Sequence, residues 1–173
     1  MLDVREFNQA LIELIKETAN KDVNLAGNLF KVDTDTIVQI NNLKSPENLA
    51  NCLASLARAK ISGADLLKRS QITDNKIIAP LNFHFLCMIR HLAQTSEQLA
   101  IGLTCVNLDS CRTIKCLTIK NLQEIANANE ALFRFAVKQQ LLAKINNVSD
   151  KSPAANLLCR HAATLSWCEV VNG

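Results

Sequence analysis

Residues 7–43, FNQALIELIKETANKDVNLAGNLFKVDTDTIVQINNL, and residues 81–117, LNFHFLCMIRHLAQTSEQLAIGLTCVNLDSCRTIKCL, align without a gap at an offset of 74. Ten of the 37 pairs are identical: Asn8/Asn82, Ile15/Ile89, Ala19/Ala93, Leu25/Leu99, Ala26/Ala100, Leu29/Leu103, Val32/Val106, Asp35/Asp109, Ile40/Ile114 and Leu43/Leu117. Average residue usage would give about three. The pairs Phe7/Leu81, Leu11/Phe85, Ile12/Leu86 and Leu14/Met88 stay apolar, so a core-facing pattern is repeated along with the composition. The chain reads as a tandem duplication of one small helical unit.

Periodicity and caps then divide each copy. Apolar positions 7, 11, 14, 15 and 18–19 recur every three or four residues and predict an amphipathic helix over 4–19. Its counterpart over 77–95 has the stripe Leu81, Phe85, Met88, Ile89 and Leu92. A short helix near 22–30 is matched by one over 96–104, with Ser96 as its N-cap. Asp33 and Asn107 each open a further short helix, ending near 41 and 115. Ser45-Pro46-Glu47 places a cap before a proline at the first helical position, where its missing N–H is not needed. Thr118 holds the equivalent place, before Leu122, Ile125 and Ala126; there Leu49 and Cys52 match Leu122 and Ile125 better at an offset of 73.

Each copy closes on a basic and apolar segment: Arg58, Lys60, Ile61, Leu66, Leu67, Lys68 and Arg69 in the first, Arg134, Phe135, Val137, Lys138, Leu141, Leu142 and Lys144 in the second. Gly63 is a break point near 61–63, and Ser70–Lys76 is a linker. Residues 146–150, NNVSD, have loop composition, and Ser152-Pro153 starts a tail helix to about Cys168 with no counterpart in the first copy. The expected organisation is all-α: a first repeat over 1–73, a second over 74–148 and a C-terminal helix within 149–173.

Composition limits the function classes. The 173 residues are 49% hydrophobic and 20% charged, with four Gly and three Pro, and no run approaches a membrane span. The N-terminus MLDVREFNQALIEL reads as an amphipathic helix and not as a signal peptide, so a cytoplasmic location is expected. Seven cysteines, with no Cys-x-x-Cys pair, argue against a disulfide framework or a zinc finger, and buried thiols fit better. The net charge of +3 conceals an asymmetry: residues 1–57 hold five basic and eight acidic side chains, and 58–173 hold fourteen and eight. The second stretch is suited to phosphate or an acidic partner.

Catalytic motifs are missing. His84, His91 and His161 neighbour no Ser or Cys nucleophile motif, and there is no glycine-rich phosphate loop, His-Glu-x-x-His or nucleophile elbow. A non-enzymatic protein without cofactor, metal or small-molecule substrate is expected.

Residues 81–137 carry a family resemblance. The succession Leu81-Asn82-Phe83 with Leu86, then Leu99-Ala100-Ile101-Gly102-Leu103, then Leu117-Thr118-Ile119-Lys120-Asn121-Leu122-Gln123-Glu124-Ile125-Ala126, then Leu132-Phe133-Arg134-Phe135, resembles the FlhD family of flagellar transcriptional regulators. Residues 7–61 share it through the repeat. The resemblance implies a small α-helical protein that homodimerises by intertwined helices and acts with an FlhC partner, itself carrying zinc, to bind promoter DNA and recruit RNA polymerase. Many members carry a cysteine two residues before the first phenylalanine of the basic and aromatic stretch. Here that phenylalanine is Phe133 and no cysteine precedes it there, so an intersubunit disulfide is not expected. An acidic pair common after the stretch is replaced by Lys138-Gln139. Duplication is the third departure, and implies that one chain supplies both halves of the dimer, packed as a pseudo-dimer.

The expected function is therefore an FlhD-like regulator whose basic segments contact the DNA backbone, through Arg134, Lys138 and Lys144 in the second copy and Lys60, Lys68 and Arg69 in the first. The alternative is an adaptor or chaperone-like subunit of a bacterial secretion or conjugation coupling complex, which kept the scaffold without DNA binding. An isoelectric point of 8.5, lower than the usual value of about nine or more for DNA binders, favours it. The tail residues Leu157, Leu158, Leu165 and Trp167 are its candidate partner-binding surface.

Overall fold

The computed structural model describes residues 4–44, 46–51, 55–67, 76–137 and 139–147. Among them the fold is all-α, with ten helices and one two-stranded ladder. The described residues form two compact units that interleave in sequence: one takes residues 57–134, the other residues 4–56 together with 135–147.

In the unit built on residues 4–56, α1 (Val4–Lys21) buries Val4, Phe7, Asn8, Leu11, Ile12, Ile15, Thr18 and Ala19, the single face that the three- and four-residue spacing predicts. Asp22 stops α1 from running into α2 (Val23–Phe30): its carboxylate accepts from the N–H groups of Asn24 (2.8 Å) and Leu25 (3.0 Å). Lys31 ends α2 in the left-handed region at φ 54°. Asp33 then caps α3 (Thr34–Asn41), accepting from Thr36 N at 2.8 Å. After α4 (Pro46–Ala50), α1 lies against α2, α3 and α4. Phe7 and Phe30 are fully buried, each contributing about 1.5–3 kcal/mol.

The unit of residues 57–134 repeats the scheme. Helix α6 (Ala79–Thr95), with Pro80 in its first turn, buries Leu81, Asn82, Phe85, Leu86, Cys87, Met88, Ile89 and Ala93. It packs against α7 (Glu97–Thr104), α8 (Leu108–Cys116) and α9 (Ile119–Ala128). The caps are Ser96, Asn107 and Thr118, whose side chains accept from Leu99, Ser110 and Asn121 N–H groups. Cys105 ends α7 at φ 58°, at the position matched to Lys31. Thr104 and Ser110 are buried and hydrogen-bonded, Thr104 Oγ1 donating to Ala100 O at 2.7 Å.

Two short strands were not part of the sequence expectation. Strand β1 (Ala57–Ala59) pairs with β2 (Phe133–Phe135). Lys60 N donates to Leu132 O at 2.8 Å and Ala136 N to Leu56 O at 2.9 Å, which fixes an antiparallel register with Arg58 opposite Arg134. Three residues are too few to reveal a period of two in a sequence. The aromatic face of β2 is buried, and Phe133 meets Phe85 edge-on with ring centroids 5.2 Å apart.

The chain following β1 packs with the helices of residues 79–128, and the chain following β2 with those of residues 4–50. Helix α5 (Gly63–Leu67) lies against α8 and α9, and Asn129 Nδ2 donates to Asp65 O at 3.1 Å. Helix α10 (Gln139–Asn147) lies against α3, with Gln139 Nε2 donating to Asp33 Oδ1 at 2.8 Å. Gly63 starts α5, and Asn146 and Asn147 belong to α10. The linker at 70–76 falls almost wholly outside the described residues, as does the tail helix after Ser152.

Candidate nucleic-acid interface

The ladder brings together Arg58 and Lys60 from the first of its two segments and Arg134 from the second. Side chains alternate across a strand and residues directly opposite share a face. Arg58 and Arg134 therefore stand on one face, and Lys60, two residues after Arg58, continues it. Lys60 and Arg134 are exposed, as contacts to a DNA backbone require, whereas Arg58 is only 8% exposed. Arg58 Nε is sealed from solvent without an acceptor. Among the described residues none of the three cations forms an ion pair.

Two other cations of the same unit, Arg112 and Lys115, are paired. Glu97 accepts from Lys115 Nζ at 3.1 Å and Arg112 Nε at 3.2 Å, and these bonds, the lysine's first, hold its carboxyl below the ordinary range. Arg58, Lys60 and Arg134 differ from that pair in having no carboxylate beside them among the described residues.

Cys105 lies beside this face, at the C-terminal end of α7, the helix that packs against β1. Burial pushes its thiol up, and the positive charges of Arg58 and Arg134 partly offset that. The buried Cys87 and Cys111 are also pushed up by burial. Cys87, Cys105, Cys111 and Cys116 are free thiols, and the upward shifts of the first three work against an activated thiolate. Among the described residues no cluster of three His, Cys, Asp or Glu side chains is placed to hold a metal.

Of the six basic residues singled out from the sequence, the ladder brings together Lys60 and Arg134. Lys68, Arg69 and Lys138 lie outside the described residues; Lys144 belongs to α10, with its side chain outside the description. The tail residues Leu157, Leu158, Leu165 and Trp167 also lie outside it. Sequence reasoning overlooked Arg58 as a site residue. The available signal was the matched Ala57-Arg58-Ala59 and Phe133-Arg134-Phe135, at an offset of 76 that opens only after the helices.

No described helix is long and apolar enough to cross a membrane. Comparison with protein-family models, with curated proteins and with solved structures found no match.

Proposed function

We propose that this chain is a non-enzymatic, FlhD-like transcriptional regulator that acts in the cytoplasm and binds promoter DNA together with a protein partner. The observation that carries the reading is the unneutralised basic face of the ladder: Lys60 and Arg134 are exposed, unpaired, and lie in the segments that end the two copies. The second segment, Leu132-Phe133-Arg134-Phe135, is also one of those that resemble FlhD. Lysine and arginine contacts to phosphate position a protein on a duplex and make affinity fall with salt.

The test is binding of duplex fragments from the host genome over a salt series, alone and with an FlhC-like partner. Affinity should fall as salt rises. Lys60→Gln and Arg134→Gln should each flatten the logarithmic salt slope by about one and weaken binding at low salt. Salt-independent or undetectable binding under both conditions overturns the reading.

A second reading, an adaptor subunit of a secretion or conjugation coupling complex, is favoured by a different observation. Leu25 and Leu99, identical residues at matched positions in α2 and α7, are 38% and 41% exposed. A leucine kept outside at the same place in both copies suits contact with another protein. Co-purification separates the readings: RNA polymerase or an FlhC-like protein supports the regulator, and a stoichiometric subunit of membrane-associated machinery supports the adaptor.

A further inference from the structure

We propose that the ladder face holding Arg58, Arg134 and Lys60 is a binding site for a phosphate-class oxyanion, with Arg58 as its buried anchor. Arg58 is the decisive residue. Arginine is almost never buried without a partner, yet Arg58 is more than nine-tenths buried and its Nε has no acceptor. Directly opposite stands a second guanidinium, and like charges facing each other across a ladder repel. Lys60 adds a third positive charge to the face, and no carboxylate among the described residues pairs with any of them. The negative end of the α7 helix dipole, near Cys105, makes a cation tolerable there. It does not supply the missing acceptor for Nε.

One ligand chemistry answers each of these points. Guanidiniums present planar N–H forks that match the oxygens of phosphate. A phosphate monoester brings a charge of about −1.5 to −2 and three strong acceptor oxygens, closer to the needs of three cations than a single carboxylate. Arg134 and Lys60 are exposed and accessible to a ligand, and Arg58 is buried on the same ladder face. The phosphate can come from a free phosphate compound or from a nucleic-acid backbone. The site does not depend on the regulator reading, because it can fill from the first source alone.

The experiment is thermal unfolding of the full chain in sodium phosphate and in sodium chloride at matched ionic strength, with labelling of Cys105 followed by peptide mass spectrometry. Phosphate should raise Tm progressively with concentration where chloride does not, and should slow alkylation of Cys105, whose thiol neighbours both arginines. Arg134→Gln, at an exposed position, should weaken the phosphate effect roughly tenfold or more, and Arg58→Lys should do the same while keeping the charge. Competition by duplex DNA for the phosphate-dependent protection of Cys105 identifies the backbone as the source. Duplex without competing effect identifies a free phosphate compound. A Tm equal in phosphate and chloride, an effect unchanged in Arg134→Gln, or protection by poly-glutamate but not by phosphate overturns the site. Duplex binding is scored separately, so loss of the DNA reading and loss of this site are distinct results.

Discussion

Asn82 shows how a polar side chain can be the right choice at a fully buried position. It has no solvent exposure, and its Oδ1 accepts from Leu132 N at 3.0 Å while Nδ2 donates to Glu130 O at 2.8 Å and, at 3.3 Å, to Ala126 O and Asn129 O. The amide thereby satisfies backbone groups where the chain leaves α9 and has not yet entered the ladder. Asn8 does the same in the other unit, accepting from Leu56 N at 2.8 Å and donating to Ala50 O at 3.4 Å. Neither leucine and nor alanine can replace both functions, since each leaves buried N–H and C=O groups unpaired. Asn82→Ala should destabilise its unit by about 2–4 kcal/mol, and Asn8→Ala should act in the same direction on the other unit. Denaturant unfolding measures this; a change below about 0.5 kcal/mol for Asn82→Ala would mean that water reaches these groups.

At the scale of elements, matched caps of different chemistry give a contrast within one molecule. Asp33 and Asn107 hold the same place before α3 and α8, and each accepts from the N–H three residues on at 2.8 Å. Only the aspartate titrates. The Thr36 N–H, above other contacts from the Thr36 hydroxyl and Gln139, holds the Asp33 carboxyl below its ordinary value of 3.8. A depressed folded-state value stabilises the fold above 3.8 and loses that contribution as pH falls through the lowered value. Asp33 is largely exposed, so solvent screening keeps the contribution small. In an NMR titration the Thr36 amide should therefore shift with a midpoint below 3.8 and the Ser110 amide should not follow it. A common midpoint for both amides would sink the argument. These caps were legible because Asp, Asn, Ser and Thr before an apolar period announce a helix start from local sequence alone. The ladder was not, because each strand is three residues long and is held by partners more than seventy positions away. Arg58 went unrecognised for the same reason: nothing nearby in sequence tells that it faces Arg134.

Across the whole molecule, sequence order and packing order part company at the helix that closes each copy. Leu142 of α10 is fully buried, and α10 lies against α3, a helix of the first copy, while Leu66 of α5 is 4% exposed and α5 lies against α8 and α9 of the second. A duplication read along the chain places α10 with the helices that precede it, because the apolar stripe of a short amphipathic helix names a face and not the helix that covers it. The observed exchange makes a crossed prediction. Leu142→Ala removes a buried side chain and should cost the unit of residues 4–56 about 2–4 kcal/mol, lowering hydrogen-exchange protection at Ile37 and Ile40 of α3. Cys111 and Ile114 of α8 should keep theirs. Leu66→Ala should give the reverse, loosening α8 and leaving α3 protected, with a smaller effect because α5 has only five residues. Loss of protection in α8 on Leu142→Ala, with α3 unchanged, would show that each closing helix stays with its own copy. The crossed result would establish that α5 completes the core around α8 and α9 and that α10 completes the one around α3, so that neither half of the sequence closes its own core alone.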